Sequence, residues 1–206
     1  MFAILDEDIY NDTYGRYRMY EALKLKHDND ANFKVPSERT IYRIMEALNP
    51  SHRPKHNPNG ITKADKEASK SDDLIKPSFK SVEPLTKCVT DISEIKASDG
   101  KLYVSAIFDC FDSVVIGLAM DTNMKASLVE KTLDNARCES MWARLKEELF
   151  YSRKIKSTTF TVEELKVIIW RYFISYWNNR RICSANNGLP PMVKRKHYYA
   201  SLANVA

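Results

Sequence analysis

The spacing of hydrophobic positions changes twice along this chain, and each change marks a boundary. From Tyr14 to Leu48 the apolar residues recur at helical intervals. In the first stretch Tyr17, Tyr20 and Leu23 stand three residues apart, while Arg16, Arg18, Lys24 and Lys26 occupy the other faces, which predicts a helix. A second helix is predicted from Pro36-Ser37, with Ile41, Ile44, Met45 and Leu48 as its apolar stripe and Arg39 and Arg43 beside it. It stops at Asn49-Pro50, because a proline pushes the residue before it out of the helical region.

Residues 50–86 hold five of the eight prolines and a polar run from Thr62 to Asp73. Such a stretch buries too little apolar surface to offset its ordering entropy, so a flexible linker and a domain boundary are expected. From Cys88 the period shortens to two. Val89 to Ile95 alternates, Ser98-Asp99-Gly100 turns the chain, Leu102 to Phe111 is a β-rich apolar run, and Val114 to Met120 follows after Asp112-Ser113. Three strands joined by little more than turns should form an antiparallel meander, with both faces of the second strand buried. Helical spacing then returns. Leu128, Val129, Leu133, Ala136, Met141, Leu145 and Leu149 share a face from Lys125 to Phe150, with no Gly or Pro between them, as in one helix of about seven turns. A last helix starts at a capping box, Thr161 with Glu164, and carries Leu165, Ile168, Ile169, Tyr172, Phe173 and Tyr176. A basic and aromatic tail follows, through Trp177, Arg180 and Arg181 to Lys194-Arg195-Lys196.

The net charge of +5 is modest, but it is unevenly placed. Residues 14–56 sum to +4 and residues 137–206 to +8, while residues 57–136 sum to −3. Two basic helices in the first block resemble a helix-turn-helix unit, although the same pattern suits a helical hairpin with a solvated face. In the last block basic and aromatic residues interleave, which favours contact with nucleic acid. Trp142, Tyr172, Tyr176 and Trp177 read as core packing. Cys88, Cys110, Cys138 and Cys183 lie far apart, with no CxxC pair, so reduced thiols are expected rather than a zinc site or disulfides. No apolar run approaches the length of a membrane span, and the N-terminus lacks the order of a signal peptide. A soluble intracellular protein with no membrane partner is expected.

Several motifs in one order carry a family resemblance. YGRYRMYEAL and RTIYRIMEAL, then VTDISEI with DGKLYVSAIFDCFDSVVIGLAMDTNM, then NARCESMWARLKEELF, then YFISYWNNRRICSANNGLPP, resemble the OrfB-type transposases of bacterial insertion sequences. These belong to the retroviral-integrase-like superfamily with a DDE catalytic core. The resemblance implies an α/β protein: a helix-turn-helix-like segment over residues 1–49, the linker 50–86, an integrase-like core and C-terminal helix over 87–178, and a basic tail over 179–206. It implies DNA transposition, in which phosphodiesters of transposon ends and target are cut and joined. Such chemistry uses two Mg2+ or Mn2+ ions held by converging carboxylates. By motif, Asp91 is the first carboxylate and Glu139 the third, so both are the expected catalytic residues and metal ligands. Lys146, seven residues after Glu139 and on the same helical face, is expected to meet DNA, together with Arg16, Arg18, Arg39, Arg43, Arg180 and Arg181. The implied partners are double-stranded DNA and further copies of this chain or an intact transposase, in the bacterial cytoplasm at the nucleoid.

The motif for the second carboxylate does not occur. Only 47 residues separate Asp91 from Glu139, and three strands and a helix already fill them. Asp134 would point about 140° away from Glu139 on a continuous helix, and Asp109, Asp112 and Asp121 do not match the motif. Leu133-Asp134-Asn135-Ala136-Arg137 reads as a join across a deletion. The core is therefore expected to be an incomplete RNase H-like fold, a three-stranded meander with a long helix, and impaired in catalysis. The alternative is a non-enzymatic DNA-binding fragment that hetero-oligomerises with an intact transposase. Cys88 stands where relatives commonly have Trp, and Cys183 where a His is common.

Overall fold

A computed structural model describes residues 1–29, 34–48, 81–123 and 136–203, with the backbone alone at Asn29 and at 136–140. The expected linker falls outside the described residues apart from 81–86, and so does the 125–135 part of the expected long helix. The alternating stretches form β1 (Cys88–Lys96), β2 (Lys101–Asp109) and β3 (Val115–Asp121). They pair as an antiparallel meander with β2 in the middle.

Register decides which side chains share a face, since directly opposed residues point the same way. Val89 faces Phe108, Asp91 faces Ala106, Ser93 faces Val104 and Ile95 faces Leu102. On this face Leu102, Val104, Ala106 and Phe108 are all fully buried. The cover consists of α4 (Ala136–Lys146), which packs on β1, and α5 (Val162–Trp170), which packs on β2. Trp142 and Phe173 meet the Phe108 ring edge-on at 6.2 and 5.7 Å. The opposite face of β2, with Tyr103, Ser105 and Ile107, is only half-buried. This corrects the expectation that both faces are closed: the apolar run of β2 is continuous, but the described helices close one side.

Both long helices continue as wider π-helical segments, α4 into Glu147–Tyr151 and α5 into Arg171–Trp177. The capping box at the start of α5 forms as expected: the Thr161 amide donates to the Glu164 carboxylate at 2.8 Å, and the Glu164 amide donates to the Thr161 hydroxyl at 3.3 Å. The β1–β2 turn docks at the same point, where Val162 donates its amide to Asp99 at 2.8 Å. A strand hairpin and a helix end thus satisfy each other's backbone groups.

The N-terminal part contains α1 (Phe2–Asp6), a 3-10 segment Ile9–Thr13, α2 (Arg16–Asn29) and α3 (Glu38–Leu48). In α2 the buried stripe is Met19 and Leu23, one turn apart, whereas Tyr17 is 37% exposed. Three-residue steps slip back around a helix by about 60° each, so Tyr17, Tyr20 and Leu23 cannot all face inward. In α3 Ile41 and Met45 are buried and Leu48 is largely exposed. Ile4, Tyr10, Tyr14, Met19, Leu23, Ile41 and Met45 belong to the same buried cluster as the sheet and α5. Tyr10 packs on Tyr172 and Tyr176 at 5.3 and 4.7 Å. The tail is built as well, with a 3-10 turn Ser184–Asn186 and the helix α6 (Pro191–Ala203). Among the described residues no helix is long and apolar enough to cross a membrane.

Candidate catalytic face and basic surface

Asp91 lies in the middle of β1 on the covered face, half-buried, with its Oδ1 accepting the Ile92 amide at 2.8 Å. Because α4 packs on β1, the helix that carries Glu139 in its first turn crosses the same face. Lys146 ends that helix and is half-buried. The other strand aspartates point elsewhere. Asp121 is opposite Tyr103 and Asp109 is opposite Cys88, which puts both on the other side of the sheet. Among the described residues of the three strands, Asp91 is the one carboxylate on the covered face. No group of three His, Cys, Asp or Glu side chains suited to a metal ion occurs among the described residues.

Asp109 and Asp112 serve the fold. Both are buried. Asp109 accepts the amides of Leu85 and Phe111 at 2.8 and 2.9 Å, and Asp112 accepts that of Val114 at 2.9 Å. Arg195 of α6 donates to both carboxylates, at 2.7 Å from Nε to Asp112. Beside it Lys194 donates to the Phe111 carbonyl and sits 4.4 Å from the Phe111 ring centroid. The β2–β3 turn therefore holds α6 by two neighbouring cations.

A second ion cluster is deeper. Glu148, in the π-helical extension of α4, is fully buried; its Oε1 accepts from Arg181 at 2.6 Å and from Arg18 at 2.9 Å, and its Oε2 accepts from Tyr172 at 2.9 Å. Burial alone would raise this carboxyl. The charge and hydrogen bonds of Arg181, then those of Arg18 and Tyr172, outweigh it and hold the pKa down at about 2. Arg181 itself is 1% exposed and lies over the Trp177 ring at 4.3 Å.

The expected DNA-contacting cations therefore divide. Arg16, Arg39 and Arg43 are exposed on α2 and α3, with Arg16 lying 5.5 Å from the Tyr42 ring. The Arg180 side chain is 62% exposed and pairs with Asp8 at 3.2 Å. Arg18 is half-buried and Arg181 wholly buried, and both guanidinium groups are directed at Glu148. Trp142, Tyr172, Tyr176 and Trp177 are all core, as expected. Cys110 and Cys183 are buried and Cys88 is half-buried, none of the three in a disulfide. The role of Glu148 was missed, though a signal exists: it falls three residues after Leu145 and beside Leu149, a charge on an otherwise apolar stripe.

Over most of its length this chain is similar in sequence to insertion-sequence transposases. It is 27% identical to a probable transposase for insertion sequence element IS1353 of Shigella flexneri, over 92% of this chain and 44% of that protein. It is 23% identical to the putative transposase InsK for insertion sequence element IS150 of Escherichia coli K12, over 93% of this chain and 82% of that protein. An uncharacterized transposase-like protein of Haemophilus influenzae is 25% identical over 59% of this chain and 76% of its own length. The chain thus spans less than half of the first of these relatives and about four-fifths of the other two. Alignments of 237 and 247 positions exceed the chain's 206 residues, so the first and second relatives named carry stretches that face no residue here. No family model and no solved structure matches the chain.

Proposed function

We propose that this chain is an insertion-sequence transposase core that keeps DNA-facing basic surfaces and two catalytic-type carboxylates, Asp91 and Glu139, and has lost strand-transfer chemistry. The observation that carries this reading is the covered sheet face. Among the described residues of the three strands it holds one carboxylate, with the Glu139 helix across it, while Asp109 and Asp121 lie on the other face and Asp112 is tied to Arg195. The relatives' unmatched positions agree with a chain shortened internally.

In the parent chemistry a pair of Mg2+ or Mn2+ ions supplies an activated attacking oxygen and a stabilised leaving oxygen. Asp91 and Glu139 are the residues that would hold such ions. They do not make the set that two metals need, so no catalytic step is assigned to them. The three-stranded meander with α4 is read as the surviving part of an RNase H-like core, and α2 with α3 as a helix-turn-helix-like unit. Arg16, Arg39, Arg43 and Arg180 present cations to duplex DNA, that is, transposon ends and target, with Lys146 at the end of α4. Because these cations stand outside the incomplete carboxylate site, the exposed set also favours a second role: binding DNA without cutting it and associating with intact transposase in the bacterial cytoplasm, at the nucleoid.

A strand-transfer assay with Mg2+ or Mn2+ on terminal inverted-repeat DNA is the test. No joined product is expected. Metal-dependent joining that disappears in Asp91→Asn would overturn the loss of chemistry. Absence of a gel shift with duplex DNA at low salt would overturn the DNA-binding part.

A further inference from the structure

The charges around Glu148 do not balance. Arg144 lies one turn before Glu148 on the same continuous helical run, so the two residues share a face. Arg144 is exposed and sits close enough to Arg181, Arg18 and Glu148 for each to act on its charge. Two guanidinium groups thus pair with the one carboxylate, and a third, one helical turn away, feels their charge. That carboxylate is fully used, with Oε1 taken by Arg18 and Arg181 and Oε2 by Arg181 and Tyr172. Arg144 makes no ion pair among the described residues. Partial desolvation, then the positive charges of Arg181 and Arg18, lower its pKa from the ordinary value. An arriving anion would reverse that penalty.

We propose that Arg144 and Arg18 form a phosphodiester-binding site where α2 meets the π-helical extension of α4. Arg18 supplies a guanidinium already fixed by Glu148 and by the Tyr14 ring 5.9 Å away. Arg144 supplies one that makes no ion pair among the described residues and lies within reach of the Arg18 charge. Planar guanidinium groups match phosphate oxygens, and one held rigid in advance loses less freedom on binding. The buried Arg181–Glu148 pair acts beneath them as a mount, and it keeps the local balance positive. That the phosphate belongs to duplex DNA rests on the function proposed above; that the site takes a phosphate does not.

Two arms on the full chain separate these points. In the first, thermal unfolding of wild type and Arg144→Ala is followed in inorganic phosphate and in chloride at matched ionic strength. Phosphate is expected to raise the wild-type midpoint more than that of the variant, and equal shifts would overturn the site. In the second, affinity for duplex DNA is measured against salt. Arg144→Ala is expected to weaken binding alike for unrelated sequences and to reduce the slope of log affinity against log salt by about 0.9, whereas Arg144→Lys keeps most of the slope. Wild-type duplex binding with an unchanged slope in Arg144→Ala would overturn the assignment to DNA. A phosphate response without duplex binding by wild type would overturn both that assignment and the DNA-binding function.

Discussion

Replacing Glu148 by Gln removes one charge and almost no volume from the most buried ionic contact in the molecule. The carboxylate accepts five hydrogen bonds, three from Arg181, one from Arg18 and one from Tyr172. The amide keeps one acceptor oxygen and turns a donor toward groups that are themselves donors. Arg181, 1% exposed, is left without a counter-charge, and removing one partner of a buried pair costs about 3–5 kcal/mol. The carboxyl's fall from 4.5 to about 2 gives a separate figure, at 1.36 kcal/mol per unit roughly 3 kcal/mol. The two agree. For a chain of this length each kcal/mol moves the melting point by about 2–4 °C, so a drop of about 6–20 °C is expected. Urea unfolding followed by the fluorescence of the buried Trp142 and Trp177 reads the loss directly. The double variant Glu148→Leu/Arg181→Met, which removes both charges, is expected to be more stable than the sum of its single losses. A loss below about 1 kcal/mol in Glu148→Gln, or strict additivity in the double variant, would refute the reasoning.

The same carboxylate sets an acid limit. Its folded-state pKa of about 2 lies below its ordinary 4.5, so its contribution is complete above about pH 4.5 and is lost as pH falls through 2. Stability of wild type should fall more steeply across that window than that of Glu148→Gln, as measured by urea midpoints at stepped pH. At the β2–β3 turn, Arg195→Met strands the buried Asp109 and Asp112 and is expected to cost about 3–5 kcal/mol. Lys196→Ala, on an exposed neighbour, should stay within about 0.5 kcal/mol, and equal effects from the two would refute the ionic account.

The meander was legible because period-two alternation and the Ser98-Asp99-Gly100 and Asp112-Ser113 turns are local signals, as is the Thr161–Glu164 capping box. The stripe of α2 was misread because Tyr17 and Tyr20 are apolar in body but leave their polar ends in water, and Met19 is the residue that packs. Arg181 and Arg195 read as DNA-facing tail cations because their partners are remote in sequence, Glu148 at 33 residues and Asp112 at 83. Composition reports a charge but not its neighbour. Asp91 was placed by motif, and that it is the one carboxylate on the covered face among the described strand residues required the register.

Arg18 meets Glu148 across 130 residues, Arg181 closes on it from 33 residues beyond, and the Tyr14 hydroxyl reaches the Arg180 carbonyl across 166. At about 5–20 residues per second, a ribosome takes on the order of ten seconds or more to release the last of these partners. Throughout that interval the first two helices have no floor to settle on, and Glu148, once made, waits about 2–7 s for its main cation 33 residues later. A nascent chain that stalls before Arg181 cannot complete its centre, and a product truncated there remains open to proteolysis.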